Sequence, residues 1–261
     1  MSYHLTFKPI SKVLLVVFIG SSCVPADPFY VPLERQKENI YYTPKTPDAP
    51  LLSEKNDYTF SVLYAAGEKH KGFDIKASYS PVNHLGLMAN YNAYYGVSSE
   101  TQFSGGDFGA GYYTSLSKLT SLEVYGGAGI NKVQNHHYSG NSRFNQSNLF
   151  LQPAFVFHDQ NGPIQFALVS KFNKVNYTFR DSTFSNDRES WSASQVKLLV
   201  NHPDHMFWEP GFIFRAGSKS MMFQLGFSFV SDLTNSELNY SKTHFSLGLH
   251  FKLPIKEEYA K

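Results

Sequence analysis

The strongest constraint on the fold is an alternation of apolar and polar residues that recurs along most of the chain. In the stretch GFDIKASY, apolar Phe73 and Ile75 alternate with polar Asp74 and Lys76. Consecutive side chains of a strand point to opposite faces of a sheet, so this period of two predicts strands with one apolar and one polar face. Ten segments between residues 57 and 253 follow the same rule, and together they predict an all-β fold.

The connections between these segments show a second regularity. The even-numbered ones, SPVNH, SLSKLTS, HDQNG and GSKS, are short, whereas most odd-numbered ones are longer and polar, and the longest runs from Tyr177 to His205. A soluble β-sandwich shares the period of two but gives no reason for this alternation in length. We therefore expect an antiparallel up-and-down transmembrane β-barrel of about ten strands, with about eight or about twelve as alternatives, short periplasmic turns and long external loops.

The composition agrees with such a barrel and excludes other classes. Only 17% of the residues are charged and 16% are aromatic, while the mean hydropathy is −0.31. A soluble surface normally carries more charge, and a helical membrane protein needs runs of about 20 apolar residues. The net charge of +2 comes from scattered lysines and arginines, so we expect no nucleic-acid partner.

Charged residues on the polar strand faces are expected to line the lumen. The barrel has to close because an unpaired backbone amide in hydrocarbon is strongly unfavourable. The apolar faces then meet lipid, and the charged side chains inside should pair by sign, since an unpaired buried charge is costly. An interior of this size is nearly filled by side chains, which favours a plugged lumen over an open pore. The predicted lumen charge network is Asp74, Lys76, Glu123, Lys171, Glu209, Arg215 and Lys252.

The N-terminus reads as a lipoprotein-type signal peptide over residues 1–22. Lysines precede a short apolar core, VLLVVFI, which is too short to span a bilayer. Small residues then lead to Cys23, the only cysteine of the chain. This resembles a bacterial lipobox, although Gly20 stands where leucine is usual, and the resemblance implies a covalent diacylglyceryl lipid on Cys23. Ordinary cleavage after Ala26, which would discard Cys23, is the alternative.

The remaining chain divides by composition. Residues 23–56 are rich in proline without a sustained period, and they predict an extended periplasmic tether. The barrel is assigned to residues 57–253 and a C-terminal tail to residues 254–261. The stretch SASQVKLLVNH does not alternate cleanly, so a short helix and an additional strand both stay open. Pro153 and Pro210 fall inside strands and predict bulges.

Two histidine-containing stretches raise the question of catalysis or metal binding. His136 and His137 are adjacent, and no cysteine or carboxylate stands nearby at zinc-ligand spacing, so a structural or merely solvated role is expected. In HPDH, Asp204 next to His205 would place an acid beside a base at the mouth of the barrel, as a rim enzyme requires. We expect no catalytic residue, no metal site and no cofactor besides the covalent lipid.

Four stretches, PLLSEKND, GFDIKASYSPVNHLGLMANYN, EPGFIFRAG and MMFQLGFSF, resemble the small outer-membrane β-barrel lipoproteins of Bacteroidota-type bacteria. The resemblance covers most of the chain from residue 47 onward. It implies the fold and the outer membrane of a Gram-negative bacterium, and it carries over no catalytic residue.

The expected function is a non-enzymatic structural or accessory component of the envelope, with a periplasmic N-terminus. Its expected partners are outer-membrane lipid and an envelope protein complex. A narrow pore for small solutes or ions and a rim protease or lipid hydrolase are the alternatives. The sequence specifies neither a ligand nor an oligomeric state.

Overall fold

The computed structural model describes residues 39–97, 100–137, 140–158, 163–183, 191–218 and 220–254. These residues form ten long antiparallel strands, one two-residue strand and one helix. The strands are β1 (Asp57–Gly67), β2 (His70–Val82), β3 (Leu85–Gly96), β4 (Glu100–Ser115), β5 (Thr120–His137), β6 (Gly140–His158), β7 (Ile164–Ser182), β8 (Asp204–Gly217), β9 (Met221–Phe229), β10 (Ser231–Asp232) and β11 (Thr243–Pro254). The helix is α1 (Trp191–Asn201).

The sheet closes on itself, because β1 pairs with β2 on one side and with β11 on the other. From β1 to β9 each strand pairs with the next, and β9 then pairs with β11. The predicted ten-stranded antiparallel barrel is thus confirmed. We call the end where β1 begins and β11 ends the turn end, and the opposite end the loop end.

The two prolines inside strands do not form the predicted bulges. Pro153 pairs with Val124 and Pro210 pairs with Ser170 without a shift of register. Pro210 instead lies where β8 changes partner. From Gly211 onward β8 pairs with β9, and at Trp208 it pairs with β10. On that side of β8 no described strand residue is paired with Pro210, and proline is tolerated in a sheet where one side of the strand is unpaired.

The loop-end connections are shorter than expected, because many of the residues assigned to loops belong to strands. Most of the polar stretches 100–106 and 132–148 belong to β4, β5 and β6, so these strands continue beyond the segments that alternate most clearly. The ambiguous stretch SASQVKLLVNH lies mainly in α1, which leaves the strand count at ten. Among the described residues, no helix is both long and apolar enough to cross a membrane.

The outer wall carries a continuous apolar band. Ile130 is 75% exposed, Leu149 is 64% exposed and Phe108 is 60% exposed, although all three are large hydrophobic residues. On β5 the outward side chains from Leu122 to Ile130 are apolar or glycine. Eight residue steps of about 3.4 Å on a strand tilted by about 40° give a band about 21 Å high, close to the apolar band of about 25 Å of transmembrane barrels.

Beyond this band, towards the loop end, the polarity of the wall reverses. Lys132, Arg143 and Lys174 point outward and are exposed, while Val133 and Val175, their neighbours in sequence, are buried inside. This is the arrangement of a water-soluble protein. The buried hydrophobic residues at this end, called the loop-end core, are Tyr41, Tyr42, Ala65, Tyr94, Phe103, Val133, Phe144, Val175, Tyr177, Val196, Leu199, Phe207, Val230 and Leu238.

Candidate functional site

The lumen of the barrel is occupied by the chain's own residues 39–52, which we call the inner segment. All fourteen are buried, although the segment contains neither helix nor strand apart from one bridge between Tyr42 and Tyr240. The structure therefore differs from the expected tether in its second half, because residues 39–52 lie inside the barrel. Cys23, the signal peptide 1–22 and the tail 255–261 lie outside the described residues.

The inner segment runs along the barrel axis in one direction. At the loop end, the amide of Tyr41 donates to the carbonyl of Asn239 over 3.0 Å. At the turn end, the amide of Leu51 donates to Oε1 of Glu123 over 2.8 Å, and Ser53 donates to Asp57 at the start of β1. The chain thus enters the lumen at the loop end and leaves it at the turn end.

Proline spacing explains why this segment suits a lumen. Pro44, Pro47 and Pro50 recur every three residues, which is the repeat of polyproline II, an extended form without internal hydrogen bonds. Its carbonyl groups are therefore free to accept hydrogen bonds from the wall. Lys76 donates to the carbonyl of Pro47 over 3.1 Å, Arg215 to that of Ala49 over 2.8 Å, Gln152 to that of Asp48 over 2.8 Å, and Lys252 to that of Leu51 over 2.9 Å.

A buried ion cluster joins the inner segment to the wall at mid-height. Nζ of Lys45 lies 2.6 Å from Oδ1 of Asp107, whose other oxygen lies 3.5 Å from Nζ of Lys171. Asn148 donates to the same Asp107 carboxylate over 3.3 Å. A side chain at Gly129 would collide with that carboxylate, so glycine on β5 makes room for the cluster.

The seven residues of the predicted lumen charge network all face the interior, and six of them are buried. Their partners differ from the expected pairing within the set. The three lysines pair with aspartates outside it: Lys171 with Asp107, Lys76 with Asp48 at 4.0 Å, and Lys252 with Asp57 at 3.1 Å. The inner segment accounts only for the pairing of Lys76, because Asp48 belongs to it, whereas Asp107 and Asp57 lie on β4 and β1.

The other four members of the network also bind the inner segment. Glu123 accepts from the Leu51 amide, Glu209 accepts from the Tyr42 hydroxyl, and Asp74 accepts from the Thr46 hydroxyl. Arg215 donates to the carbonyl of Ala49, and its Nε donates to Gln224 over 2.7 Å. All seven residues therefore hold the inner segment in the lumen, either directly or through an aspartate that contacts it.

The loop end is covered by a lid, formed by α1 and the connection between β9 and β11 (residues 230–242), which are hydrogen-bonded to each other through Gln195. The rings of Tyr42 and Phe207 stack with centroids 3.8 Å apart. Val196 and Leu199 of α1 are three residues apart, so they lie on the same face of the helix and pack in the loop-end core. Pro203 follows soon after the last turn of the helix. Asn239 connects the lid to the segment, because its Nδ2 donates to the carbonyl of Asn39 over 2.8 Å.

The loop that faces the helix is held by Asp232. Its carboxylate accepts from the amides of Thr234 and Ser236, at 2.8 and 3.1 Å, and from both of their hydroxyl groups. Burial alone would raise the pKa of Asp232, but the hydrogen bonds from Ser236 and Thr234 outweigh it and lower the pKa below its ordinary value.

A chain of buried side chains near the loop end was not predicted from the sequence. His70 lies 3.0 Å from Oγ of Ser241 and 2.9 Å from His244, which in turn lies 2.9 Å from Oγ1 of Thr46. Thr46 donates to Asp74. The order of serine, histidine and carboxylate resembles a proton relay, but all five residues are buried, so a substrate has no access to the serine in this structure.

The structure does not bring together the residues considered for rim catalysis. Asp204 and His205 are consecutive in β8, so Asp204 is exposed outside, where it accepts from Asn176, and His205 is buried inside. Nε2 of His205 lies 3.0 Å from the carbonyl of His202. His136 lies 3.2 Å from Asn141, and the described residues contain no group of three or more histidines, cysteines or carboxylates that could hold a metal.

No protein-family model and no curated protein sequence matches the chain. Among solved structures, the KdgM porin has a TM-score of 0.30 and 8% sequence identity, over 74% of this chain and 98% of its own. Pseudomonas aeruginosa OprD has a TM-score of 0.30 and 7% identity, over 81% of this chain and 99% of its own. The architecture of this chain follows from its own strand pairings.

Proposed function

We propose that this protein is a non-enzymatic outer-membrane barrel of a Gram-negative bacterium, closed by its own inner segment and acting as a structural or accessory envelope component. The observation that carries the proposal is the occupied lumen: residues 39–52 are buried, and the charges around them are hydrogen-bonded or paired. A barrel filled in this way spans the membrane without offering a path to solutes.

The distribution of polarity along the wall supports the outer membrane and an orientation. The apolar band faces outward, and only the loop end continues beyond it with a polar exterior. In bacterial outer-membrane barrels the short turns face the periplasm and the longer elements face outside. We therefore assign the turn end to the periplasm and the loop end to the cell surface.

We also propose that Cys23 carries a diacylglyceryl lipid, as in the Bacteroidota-type lipoproteins that the sequence resembles. The support is the run of small residues before the only cysteine. Mass spectrometry of the mature N-terminal peptide tests this directly. A peptide that begins at lipid-modified Cys23 is expected, and a peptide that begins at residue 27 would refute it.

Conductance in a planar bilayer tests whether the inner segment closes the barrel. The full chain should show no steady current, whereas a variant lacking residues 24–52 should conduct. A synthetic peptide of residues 39–52 is the matched control, because it should reduce the current of the deletion variant. Steady conductance by the full chain would contradict the proposal.

A second candidate is a pore that opens when the inner segment withdraws. Polar atoms of Arg215, Gln224, Ser228 and Ser246 face the lumen without a hydrogen-bond partner among the described residues. Buried polar atoms are normally satisfied by protein or water, so this side of the wall suits an aqueous path. Voltage-dependent opening of the full chain would favour this candidate.

The ion preference of the current tests whether Lys76 lines such a path. In the variant lacking residues 24–52, Lys76→Gln should shift the preference towards cations, since Lys76 faces the lumen. Lys118→Gln is the matched control, because Lys118 lies exposed in the connection between β4 and β5. Equal effects of the two substitutions would exclude a current through the lumen.

Affinity purification of the full chain in mild detergent tests the accessory role. A defined set of envelope proteins recovered in constant proportion would support it. A solitary protein whose removal leaves the envelope unchanged would count against it.

A further inference from the structure

The inner segment places the first described residue, Asn39, at the loop end of the barrel, opposite to the start of β1 and the end of β11. Asn39 is fully buried in the lid, and the amide of Ile40 donates to Oγ1 of Thr101 at the loop-end start of β4. Asp57 and Pro254 pair at the turn end. The polypeptide therefore crosses the full height of the barrel before the first strand begins.

The length of the segment agrees with one complete crossing. Ile40, whose amide bonds to Thr101, and Ser53 are 13 steps apart, from 53 − 40. At about 3.1 Å per residue for an extended, proline-rich chain they span at most about 40 Å. The barrel from its turn end to the level of Thr101 has a similar height, because the apolar band of about 21 Å is followed by five strand residues that add about 13 Å.

We infer that the chain preceding Asn39 leaves the barrel on the cell-surface side, and that a lipid on Cys23 would anchor in the outer leaflet of the membrane. This is the opposite of the periplasmic N-terminus expected from the sequence alone. The cell-surface assignment rests on the proposed orientation of the barrel, whereas the exit at the loop end rests on the contacts of Asn39, Ile40 and Tyr41.

The available chain length allows this anchorage. Cys23 and Asn39 are 16 residue steps apart, from 39 − 23. Fully extended, such a chain reaches at most about 55 Å. The level of Thr101 lies only about 13 Å above the apolar band by the strand spacing given above. The connecting residues are thus long enough to descend to the outer leaflet beside the barrel.

A periplasmic Cys23 would require the chain to cross the membrane a second time. A crossing through lipid is unfavourable, because the stretch ERQKE is charged and its backbone groups would lack partners in hydrocarbon. A second pass through the lumen would have to displace the stacked rings of Tyr42 and Phe207 and the packed ring of Phe144 beside Tyr41. Both routes disrupt contacts that the single crossing keeps.

The inferred partner of the N-terminal segment is therefore the lipid of the outer leaflet. The protein would be attached to the membrane twice, by its barrel and by its lipid. Any force on the lipid anchor would act on the inner segment, which is held by the hydrogen bond of Tyr42 to Glu209 and then by the ion pair of Lys45 with Asp107.

Cysteine labelling on intact cells tests the inference. The chain has a single cysteine, Cys23, so the unmodified protein reports the background. The test variant is Lys37→Cys, the loop-end reference is Glu237→Cys and the turn-end reference is Lys118→Cys. Each is treated with a membrane-impermeant biotin maleimide, before and after the outer membrane is permeabilised, with heat-dependent gel mobility as the check on folding.

We expect Lys37→Cys to be labelled on intact cells together with Glu237→Cys, and Lys118→Cys to be labelled only after permeabilisation. Labelling of Lys37→Cys only after permeabilisation, or in neither condition, would overturn the inference. If Lys118→Cys is labelled on intact cells while Lys37→Cys and Glu237→Cys are not, the proposed orientation fails. In that case the exit at the loop end is still supported, but the anchorage in the outer leaflet is overturned.

Discussion

Replacement of Leu249 by arginine tests whether the apolar outer wall lies in hydrocarbon. Leu249 is 42% exposed on β11, midway between the outward residues Phe245 and Leu253. It lies four residue steps from each, which is about 10 Å from both edges of the band on a strand tilted by about 40°. An arginine at the bilayer midplane of a barrel costs about 2–4 kcal/mol. Because about 1.4 kcal/mol is tenfold, the folding equilibrium should fall by a factor of about 30 to 700.

The matched control is Ser147→Arg on β6. Ser147 is also exposed, but it lies two residues beyond Leu149, the last apolar outward residue of its strand, and it pairs with Ile130 at the loop-end edge of the band. An arginine near the interface costs about 0–1 kcal/mol. Urea titration of both variants in lipid vesicles, followed by heat-dependent gel mobility, gives the two free energies. Equal losses below about 0.5 kcal/mol, as for an ordinary surface substitution, would refute the transmembrane assignment.

Three further predictions concern the interior and the lid. Asp107→Asn leaves Lys45 and Lys171 without a carboxylate, and the free energy of unfolding should fall by about 3–5 kcal/mol in the same titration; an unchanged midpoint would show that this cluster is hydrated. Gly129→Ala forces a methyl group onto Asp107 and should cost about 1–3 kcal/mol, whereas Gly126→Ala, with its nearest atom 3.7 Å away, should be neutral; equal effects would argue against a packed lumen. Hydrogen exchange of the Thr234 and Ser236 amides tests the role of Asp232, because its ionised carboxylate accepts from both amides. The pKa of Asp232 in the folded protein is lowered below 3.8. The amides should therefore be protected above pH 3.8 and lose this protection as the pH falls through the folded pKa. The variant Asp232→Asn should lack this dependence, and identical pH profiles would contradict the role of the carboxylate.

The closed barrel could be predicted from the sequence because alternation shows directly which face of a strand meets lipid. The two faces of β2 can be assigned without knowing the rest of the chain: Phe73 and Ile75 lie on one face, and Asp74 and Lys76 lie on the other. The same argument selected seven inward charged residues, and all of them face the lumen. The partner Asp48 could not be predicted, because it comes from a segment without a strand period, and the same holds for Lys45, which pairs with Asp107.

The loop-end part of β4, β5 and β6 was missed for a different reason. Above the apolar band both sides of the wall touch water or a mixed interior, so alternation weakens: on β5, Asn131 and Asn135 are polar and yet buried. Asp107 was also missing from the predicted lumen charge network. It is an inward polar residue between Gly106 and Phe108, and extending the β4 alternation by one residue would have included it.

The passage of the inner segment through the lumen sets an order for assembly. The segment is continuous with β1, and it binds β11 as well, through Thr46 on His244 and Leu51 on Lys252. A barrel already sealed between β1 and β11 would admit it only by drawing the whole N-terminus, with any lipid on Cys23, through a lumen lined with charges. The seam between the first and last strands must therefore close around a segment that is already in place, and the last step of folding encloses the chain's own beginning.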